Sequence, residues 1–194
     1  MKRFVLFFVL CSVLLIACEP INPNGDQYPV VSADDYYWYK GNKIYLERGN
    51  QEYIIYDDAL LSEMDKQKLE ISESDSYLEE PNLKWGITKP NTVIEDLEHV
   101  LYRMPSYTSE GTNFFVTHTF NVKLKDSNDL SILQNMAKQY NAKIVKEEPL
   151  PLWYLLACNL PSSSNAMNIA NRFYESGKFA VSEPNFMGGL VLHN

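Results

Sequence analysis

Three histidines are the side chains best suited to acid–base chemistry near neutral pH, and they stand at His99, His118 and His193. None of them lies in a serine, cysteine or carboxylate motif that would fix a nucleophile beside a base. His118 shares the apolar face of a predicted strand, which favours a core or edge histidine over a catalytic base. The sequence therefore predicts that the protein is not an enzyme.

Other residues with potential chemistry support the same interpretation. Cys158 lies in an apolar segment, where burial keeps a thiol unreactive. Gly188 and Gly189 lack the further glycines and the lysine of a phosphate-binding loop, and no ligand spacing indicates a metal, so we expect no cofactor. The aromatic cluster from Tyr36 to Tyr39 has two interpretations, a carbohydrate-stacking patch or a strand of a packed sheet, and the strand is favoured.

A different chemistry is predicted at Cys18. Two basic residues precede an apolar run from Phe4 to Ile16, which is the pattern of a signal peptide. The run is shorter than the roughly 20 residues of a permanent membrane span. It ends in Leu-Ile-Ala-Cys18, which resembles the bacterial lipobox, where the cysteine thiol takes a diacylglycerol. We expect residues 1–17 to be removed and Cys18 to anchor the protein by lipid in the cell envelope, at the outer membrane. An ordinary signal peptide that happens to contain a cysteine is the alternative.

Charge narrows the range of partners. The chain carries 17 basic and 25 acidic residues, and loss of Lys2 and Arg3 with the signal leaves 15 against 25, a net charge of −10. Such an acidic protein does not attract nucleic acid, and it meets an anionic bilayer only through its lipid. We therefore expect a protein partner. No disulfide is predicted, because Cys11 leaves with the signal and Cys18 is acylated, so Cys158 has no partner.

The first half of the folded region is predicted from short signals. Residues 18–35 are rich in proline, asparagine and acidic residues and resemble a tether. Residues 36–107 are predicted to form a first α+β module. Its expected elements are an aromatic hairpin around a Gly-Asn turn at residues 36–46, strands at 53–56, 85–87 and 100–102, a helix after Asp57 or Asp58 carrying Leu61, Met64 and Leu69, and a short helix at 92–99.

The second half, residues 112–187, reads as β-α-β-β-α-β. Residues 113–124 alternate between an apolar and a polar face, as in a half-buried strand. A helix capped by Asp126 or Ser127 follows, with the stripe Leu130, Leu133, Met136, Ala137 and Tyr140, and Asn141 ends it. Strands are expected at 142–147, 152–160 and 179–182. The second helix is expected to be capped by Ser163 or Ser164, to bury Ala166, Ile169, Ala170 and Phe173, and to end at Gly177.

This element order predicts an α+β fold. Two helices on one face of a four-stranded antiparallel sheet form the ferredoxin-like, split βαβ arrangement. Residues 100–107 and 179–186 share an apolar strand followed by proline, a small polar residue and an aromatic, which indicates a tandem pair of modules. The common occurrence of proline and aromatics at strand ends is the alternative explanation.

Several segments together carry a family likeness. They are residues 120–125, the helix 130–140, the strand 153–158, the segment 168–179 whose helix ends at Gly177, and Ser-Glu-Pro-Asn-Phe at 182–186. These segments resemble the propeptide region of subtilisin-like serine peptidases, well over residues 112–187 and more loosely over 36–107. The peptidase domain of that family, with its Asp, His and Ser motifs, has no counterpart in this sequence. The resemblance implies a free-standing propeptide-like protein that binds, and inhibits or assists folding of, a subtilisin-like serine peptidase. A relic whose peptidase has been lost is the other interpretation of the resemblance.

The end of the sequence carries the predicted contacts with that partner. Residues 188–194 are expected to form an extended tail. By resemblance, the segment from Glu183 lies along the peptidase cleft, and Glu183 caps a helix N-terminus of the partner. The partner-binding residues are then Glu183, Pro184, Asn185, Phe186, Leu190, Val191 and Leu192. The alternative function is a non-catalytic surface lipoprotein that binds glycan or another protein, with Tyr36 and Trp38 as exposed stacking platforms.

Overall fold

Strands dominate the described part of the chain, which in the computed structural model comprises residues 35–69, 71–73, 81–89, 92–94, 97–109, 112–162 and 165–188. The strands are β1 Tyr36–Tyr39, β2 Asn42–Tyr45, β3 Glu47–Asp57, β4 Ile71–Glu73, β5 Leu83–Thr88, β6 Val100–Ser109, β7 Thr112–Leu124, β8 Ala142–Glu147, β9 Trp153–Cys158 and β10 Phe179–Gly188. The helices are α1 Glu63–Lys66, α2 Leu130–Gln139 and α3 Ala166–Glu175, with 3-10 turns at Leu97–His99 and Ser127–Asp129. The protein is therefore α+β, with few helices.

One antiparallel sheet contains eight of these strands. Its order is β4-β5-β3-β6-β7-β9-β8, and β10 also pairs with β7. One edge of β7 pairs with β10 along most of its length. Its other edge pairs with β6 near its start and with β9 near its end, and the pairing with β6 joins the two halves of the chain. The order is compatible with the predicted split βαβ arrangement of the second half.

The predicted aromatic hairpin is confirmed as β1 and β2, which form a separate two-stranded sheet. The turn differs by one residue from the prediction. Lys40 and Gly41 occupy it with φ of 45° and 83°, whereas Asn42 already belongs to β2. Two consecutive left-handed residues match the right-handed twist of a two-residue hairpin, and glycine tolerates that conformation without strain.

The predicted helices of the first half are shorter than expected. Helix α1 has four residues and begins at Ser62, whose side chain accepts a hydrogen bond from the Asp65 amide. The predicted helix at 92–99 is wrong at its start, since residues 92–94 are not helical, and among the described residues of this range Leu97–His99 forms a 3-10 turn. Thr92 is held in a tight turn by two hydrogen bonds to the Lys89 carbonyl, which competes with a helix start.

The second half matches its predicted elements closely. Asp126 forms a capping box with Asp129 ahead of α2, and Asn141 ends that helix with a φ of 51°. Gly177 has a φ of 66° at the end of α3, as expected for a left-handed C-terminal residue. The N-cap of α3 differs from the prediction. Asn165, whose side chain accepts from the Asn168 amide, takes this place, and the predicted caps Ser163 and Ser164 lie outside the described residues.

Two clusters of apolar side chains support the sheet. The larger one fills the space between the sheet and helices α2 and α3, and it includes Leu133, Phe173 and the alternate β7 residues Phe120, Val122 and Leu124. The smaller cluster covers the opposite face of β3 with Ile54, Tyr56, Leu61 and Ile94. Residues 53–56 of β3 are therefore buried on both faces of the sheet, which their short apolar run did not reveal.

Candidate partner-binding surface

The predicted partner-binding segment belongs largely to the last strand. Strand β10 continues to Gly188, where the sequence predicted a strand that ends at Ser182, because its main chain stays paired with β7 past a bulge near Asn185. Pro184 is buried opposite Phe120. The structure thus holds residues 183–188 in a fixed extended conformation. Leu190, Val191 and Leu192, like Cys18, lie outside the described residues.

The strand divides its predicted contact residues between two faces. Phe186 packs into the main core, with its ring 4.9 Å from that of Tyr37 and 5.4 Å from that of Phe114. Glu183 pairs in register with Asn121, on the face of the sheet opposite to α2 and α3. We call this the second face of the sheet. It also carries Thr119, Asn121 and Lys123 of β7, which pair in register with Ala157, Leu155 and Trp153 of β9.

Glu183 is in an unfavourable environment for a carboxylate. Its side chain is half-buried, and no hydrogen bond reaches it from the part of the chain that the structure describes. Burial raises the pKa of Glu183, and the positive charge of Lys40 only partly opposes this effect. Such a group is destabilising unless a donor from outside the chain satisfies it.

Asn185 is in the opposite situation, because its amide is fixed by its neighbours. Its Nδ2 donates to Thr119 Oγ1 at 2.9 Å, and its Oδ1 accepts from Asn121 Nδ2. Its main-chain carbonyl accepts from Thr117 Oγ1 at 3.3 Å. This network orients the two asparagine amides on the second face.

A groove of about 460 Å³ lies beside this network. It is lined by Asn121, Glu148, Pro149, Leu150, Trp153, Leu155 and Asn185. Of these, only Asn185 was predicted as a site residue. The polar alternation of β7 placed Asn121 on the correct face, but Trp153 was assigned only to an apolar strand, since nothing local links it to residue 185.

The aromatic hairpin residues are engaged in internal contacts. The ring of Trp38 stacks on that of Tyr174 at 4.9 Å, and its indole nitrogen donates to Glu175 Oε1 at 3.1 Å. The Tyr36 hydroxyl donates to the same oxygen at 2.7 Å. Burial raises the pKa of Glu175, but these two bonds and the charges of Lys43 and Arg172 outweigh it and leave the pKa below its usual value. The hairpin therefore packs onto α3, which leaves Trp38 poorly placed as a free stacking platform.

His118 and Cys158 both lie in the interior. His118 is buried, with its ring 6.4 Å from that of Tyr102. Cys158 is a free, buried cysteine, and burial raises its thiol pKa to about 12. Thiolate chemistry near neutral pH is disfavoured by such a pKa. The predicted core positions of both residues are confirmed.

The described residues contain no group of three or more histidine, cysteine, aspartate or glutamate side chains that could hold a metal ion. None of the described helices is long and apolar enough to cross a membrane.

Comparison of the chain with protein-family models, with curated proteins and with solved structures gives no match.

Proposed function

We propose that this protein is a propeptide-like lipoprotein of the cell envelope, anchored at the outer membrane through Cys18, that binds and inhibits a subtilisin-like serine peptidase or assists its folding. The observation that carries the proposal is Glu183. It is a half-buried carboxylate on the second face of the sheet that lacks a donor within the described chain. The N-terminus of a partner helix offers unpaired N–H groups and a favourable dipole for such a carboxylate.

Sheet order supports the ferredoxin-like part of this proposal. The second half follows β7-α2-β8-β9-α3-β10 along the chain, and its strands lie in the order β10-β7-β9-β8. In this arrangement the first and third strands are central and the second and fourth are at the edges. Helix α3 packs on the face that carries Phe120, through Phe173 at 5.3 Å between ring centroids, and leaves the opposite face to a partner.

The tandem arrangement is supported by the first half, where the order of the strands along the chain and their order in the sheet are related in the same way. The chain order there is β3-α1-β4-β5-turn-β6, and the spatial order is β6-β3-β5-β4. The first and third strands are again central. We propose that residues 36–107 and 112–187 are two related modules, of which the first has reduced its helices to α1 and a 3-10 turn.

The alternative, a surface lipoprotein that binds glycan through Tyr36 and Trp38, is less well supported. The Tyr36 hydroxyl and the Trp38 indole N–H both donate hydrogen bonds to Glu175, and the Trp38 ring stacks on that of Tyr174.

Glu183→Gln tests the proposed contact. We expect residues 19–194 to inhibit subtilisin and related peptidases, and the substitution to weaken inhibition at least tenfold, which is about 1.4 kcal/mol.

We also expect the Glu183→Gln variant to be more stable than the parent at neutral pH. A raised pKa means that the folded state favours the protonated carboxyl, so this stabilising contribution is present at low pH and is lost as pH rises through the folded pKa.

Inhibition constants and urea midpoints measure both effects between about pH 4 and 8, a range that begins near the ordinary glutamate pKa of about 4.3 and extends above it. The difference in stability between the Glu183→Gln variant and the parent should become smaller as the pH is lowered toward 4. Glu147→Gln, at an exposed glutamate of edge strand β8, is the matched control and should change neither quantity. Equal inhibition by the parent and the Glu183 variant would remove this carboxylate from the interface, and no inhibition of any such peptidase would contradict the proposed function.

Truncation tests the tail separately. Met187 and Gly188 pair with β7, so the chain is best ended after Gly188, which removes Leu190, Val191 and Leu192 without shortening the sheet. We expect inhibition to weaken at least tenfold, because an extended segment adds main-chain hydrogen bonds and side-chain contacts in a peptidase cleft. The urea midpoint should be unchanged. Unaltered inhibition would exclude the tail from the mechanism.

A further inference from the structure

The groove on the second face has a composition that the proposed peptidase contact does not explain. Its floor is formed by side chains of three adjacent strands, Asn121 of β7, Leu155 of β9 and Asn185 of the edge strand β10. The turn that follows β8 forms its wall, and Leu150 in that turn is 64% exposed. A volume of about 460 Å³ falls within the range of roughly 300–1,000 Å³ that is usual for small-molecule sites.

The polar groups of the groove are fixed in position. Asn121 donates to Asn185, which donates in turn to Thr119 Oγ1, and Thr119 is only 2% exposed. These bonds set the orientation of both amides. Each amide retains one N–H, and Asn121 also retains its Oδ1, because no donor to that atom occurs in the described part of the chain. The groove thus presents donors and an acceptor in a defined arrangement.

Trp153 adds an aromatic surface with a further donor. Its indole ring lines the groove, and Lys123 Nζ lies 5.7 Å from the ring centroid. No hydrogen bond from its indole nitrogen is found within the described residues. The only charged side chain of the lining is that of Glu148, and its Oε1 lies 3.3 Å from Lys146 Nζ. The lining is therefore aromatic and amide-rich, with its one charge balanced.

We propose that this groove binds an uncharged pyranose unit of a saccharide. The C–H face of a pyranose packs on an indole ring, and its hydroxyls both donate and accept, as the two amides do. A purely apolar ligand would bury the free amide groups without partners. An extended peptide is disfavoured because it binds through main-chain pairing at a strand edge, whereas the main chains of β7 and β9 are already paired on both sides here.

The test uses the full chain in detergent micelles, labelled with 15N at tryptophan. The sequence contains three tryptophans, so three indole resonances are expected. Methyl glycosides and disaccharides of glucose, galactose, mannose and N-acetylglucosamine are titrated to about 10 mM, ten times a Kd of 1 mM. We expect at least one sugar to shift the Trp153 resonance saturably and to leave those of Trp38 and Trp85 in place. Trp153→Phe assigns the resonance by removing it.

A second variant separates binding from folding. Asn121→Leu has nearly the same shape but no amide, and we expect it to weaken sugar binding at least tenfold while the Trp38 and Trp85 resonances keep their positions. Three results would overturn the proposal. They are the absence of a saturable shift of the Trp153 resonance with any sugar, an unchanged sugar affinity in Asn121→Leu, or a shift of that resonance with a ten-residue peptide of alanine, serine and leucine but with no sugar. None of these results depends on whether the protein binds a peptidase.

Discussion

Replacement of Cys18 by alanine is expected to abolish lipid attachment and, with it, stable anchoring of the protein. The apolar run, the residues before Cys18 and the position of the cysteine together indicate the lipobox. Each methylene of an attached acyl chain that enters the bilayer contributes about 0.8 kcal/mol, so loss of the predicted lipid is expected to weaken membrane association strongly. The product is either an unprocessed precursor or a protein without an anchor.

Intact-mass spectrometry and detergent-phase partitioning of the expressed protein measure this outcome. The mass distinguishes an acylated chain that begins at Cys18 from a precursor that retains residues 1–17. Cys11→Ala is the control, because it changes a cysteine of the same apolar run and leaves the lipobox intact. It should yield the acylated protein in the detergent phase. If Cys18→Ala gives the same mass increment and partitioning as the parent, the lipidation hypothesis is wrong.

Phe173→Ala is expected to destabilise the fold by about 3 to 5 kcal/mol, within the range for truncation of a fully buried phenylalanine. Phe173 is completely buried at the centre of the larger core. Its ring contacts those of Phe120 of β7, Tyr140 at the end of α2 and Phe179 of β10, at centroid distances of 5.3, 5.9 and 5.3 Å. Loss of the ring leaves a cavity and removes three aromatic contacts, each of which contributes roughly 0.5–1.5 kcal/mol beyond burial.

Urea unfolding of residues 19–194 measures the change, with an unaltered slope as the sign that the unfolded state is the same. Asn168→Ala, at an exposed position of the same helix, is the matched control and should stay within about 0.5 kcal/mol. Leu133→Ala, a fully buried residue of α2, should lose about 2 to 5 kcal/mol. Losses below about 0.5 kcal/mol at both Phe173 and Leu133 would contradict the packing of both helices on the sheet.

Prediction from sequence succeeded where a pattern repeats over a long segment. The apolar stripe of α3 identified Ala166, Ile169, Ala170 and Phe173, all of which are buried. The alternation along β7 identified its core face, and the same rule placed Asn121 on the opposite face. Helix ends were predicted where one residue type has a physical reason to be there, as with the left-handed Asn141 and Gly177.

Prediction failed where the signal was short or the partner was distant. Strands β3, β6 and β10 extend well beyond their predicted ends, because main-chain pairing with a neighbour continues after the apolar pattern stops. Residues 92–94 are not helical, and the Lys89 carbonyl accepts two hydrogen bonds from Thr92, which compete with a helix start. The apolar pattern of a short segment predicts neither the extent of strand pairing nor the hydrogen bonds from Thr92.

The sequence by itself determined which residues are apolar at strand or helix spacing, and hence the α+β class and the order of elements in the second half, since these depend on neighbours within a few positions. Only the tertiary structure decided which strands pair, that the aromatic hairpin packs on α3, and that Asn121, Trp153 and Asn185 meet in one groove. These three residues are far apart along the chain and become neighbours only when β9 and β10 pair with opposite edges of β7. Periodicity specifies the face on which a side chain lies, whereas pairing between distant strands depends on the free energy of the whole sheet.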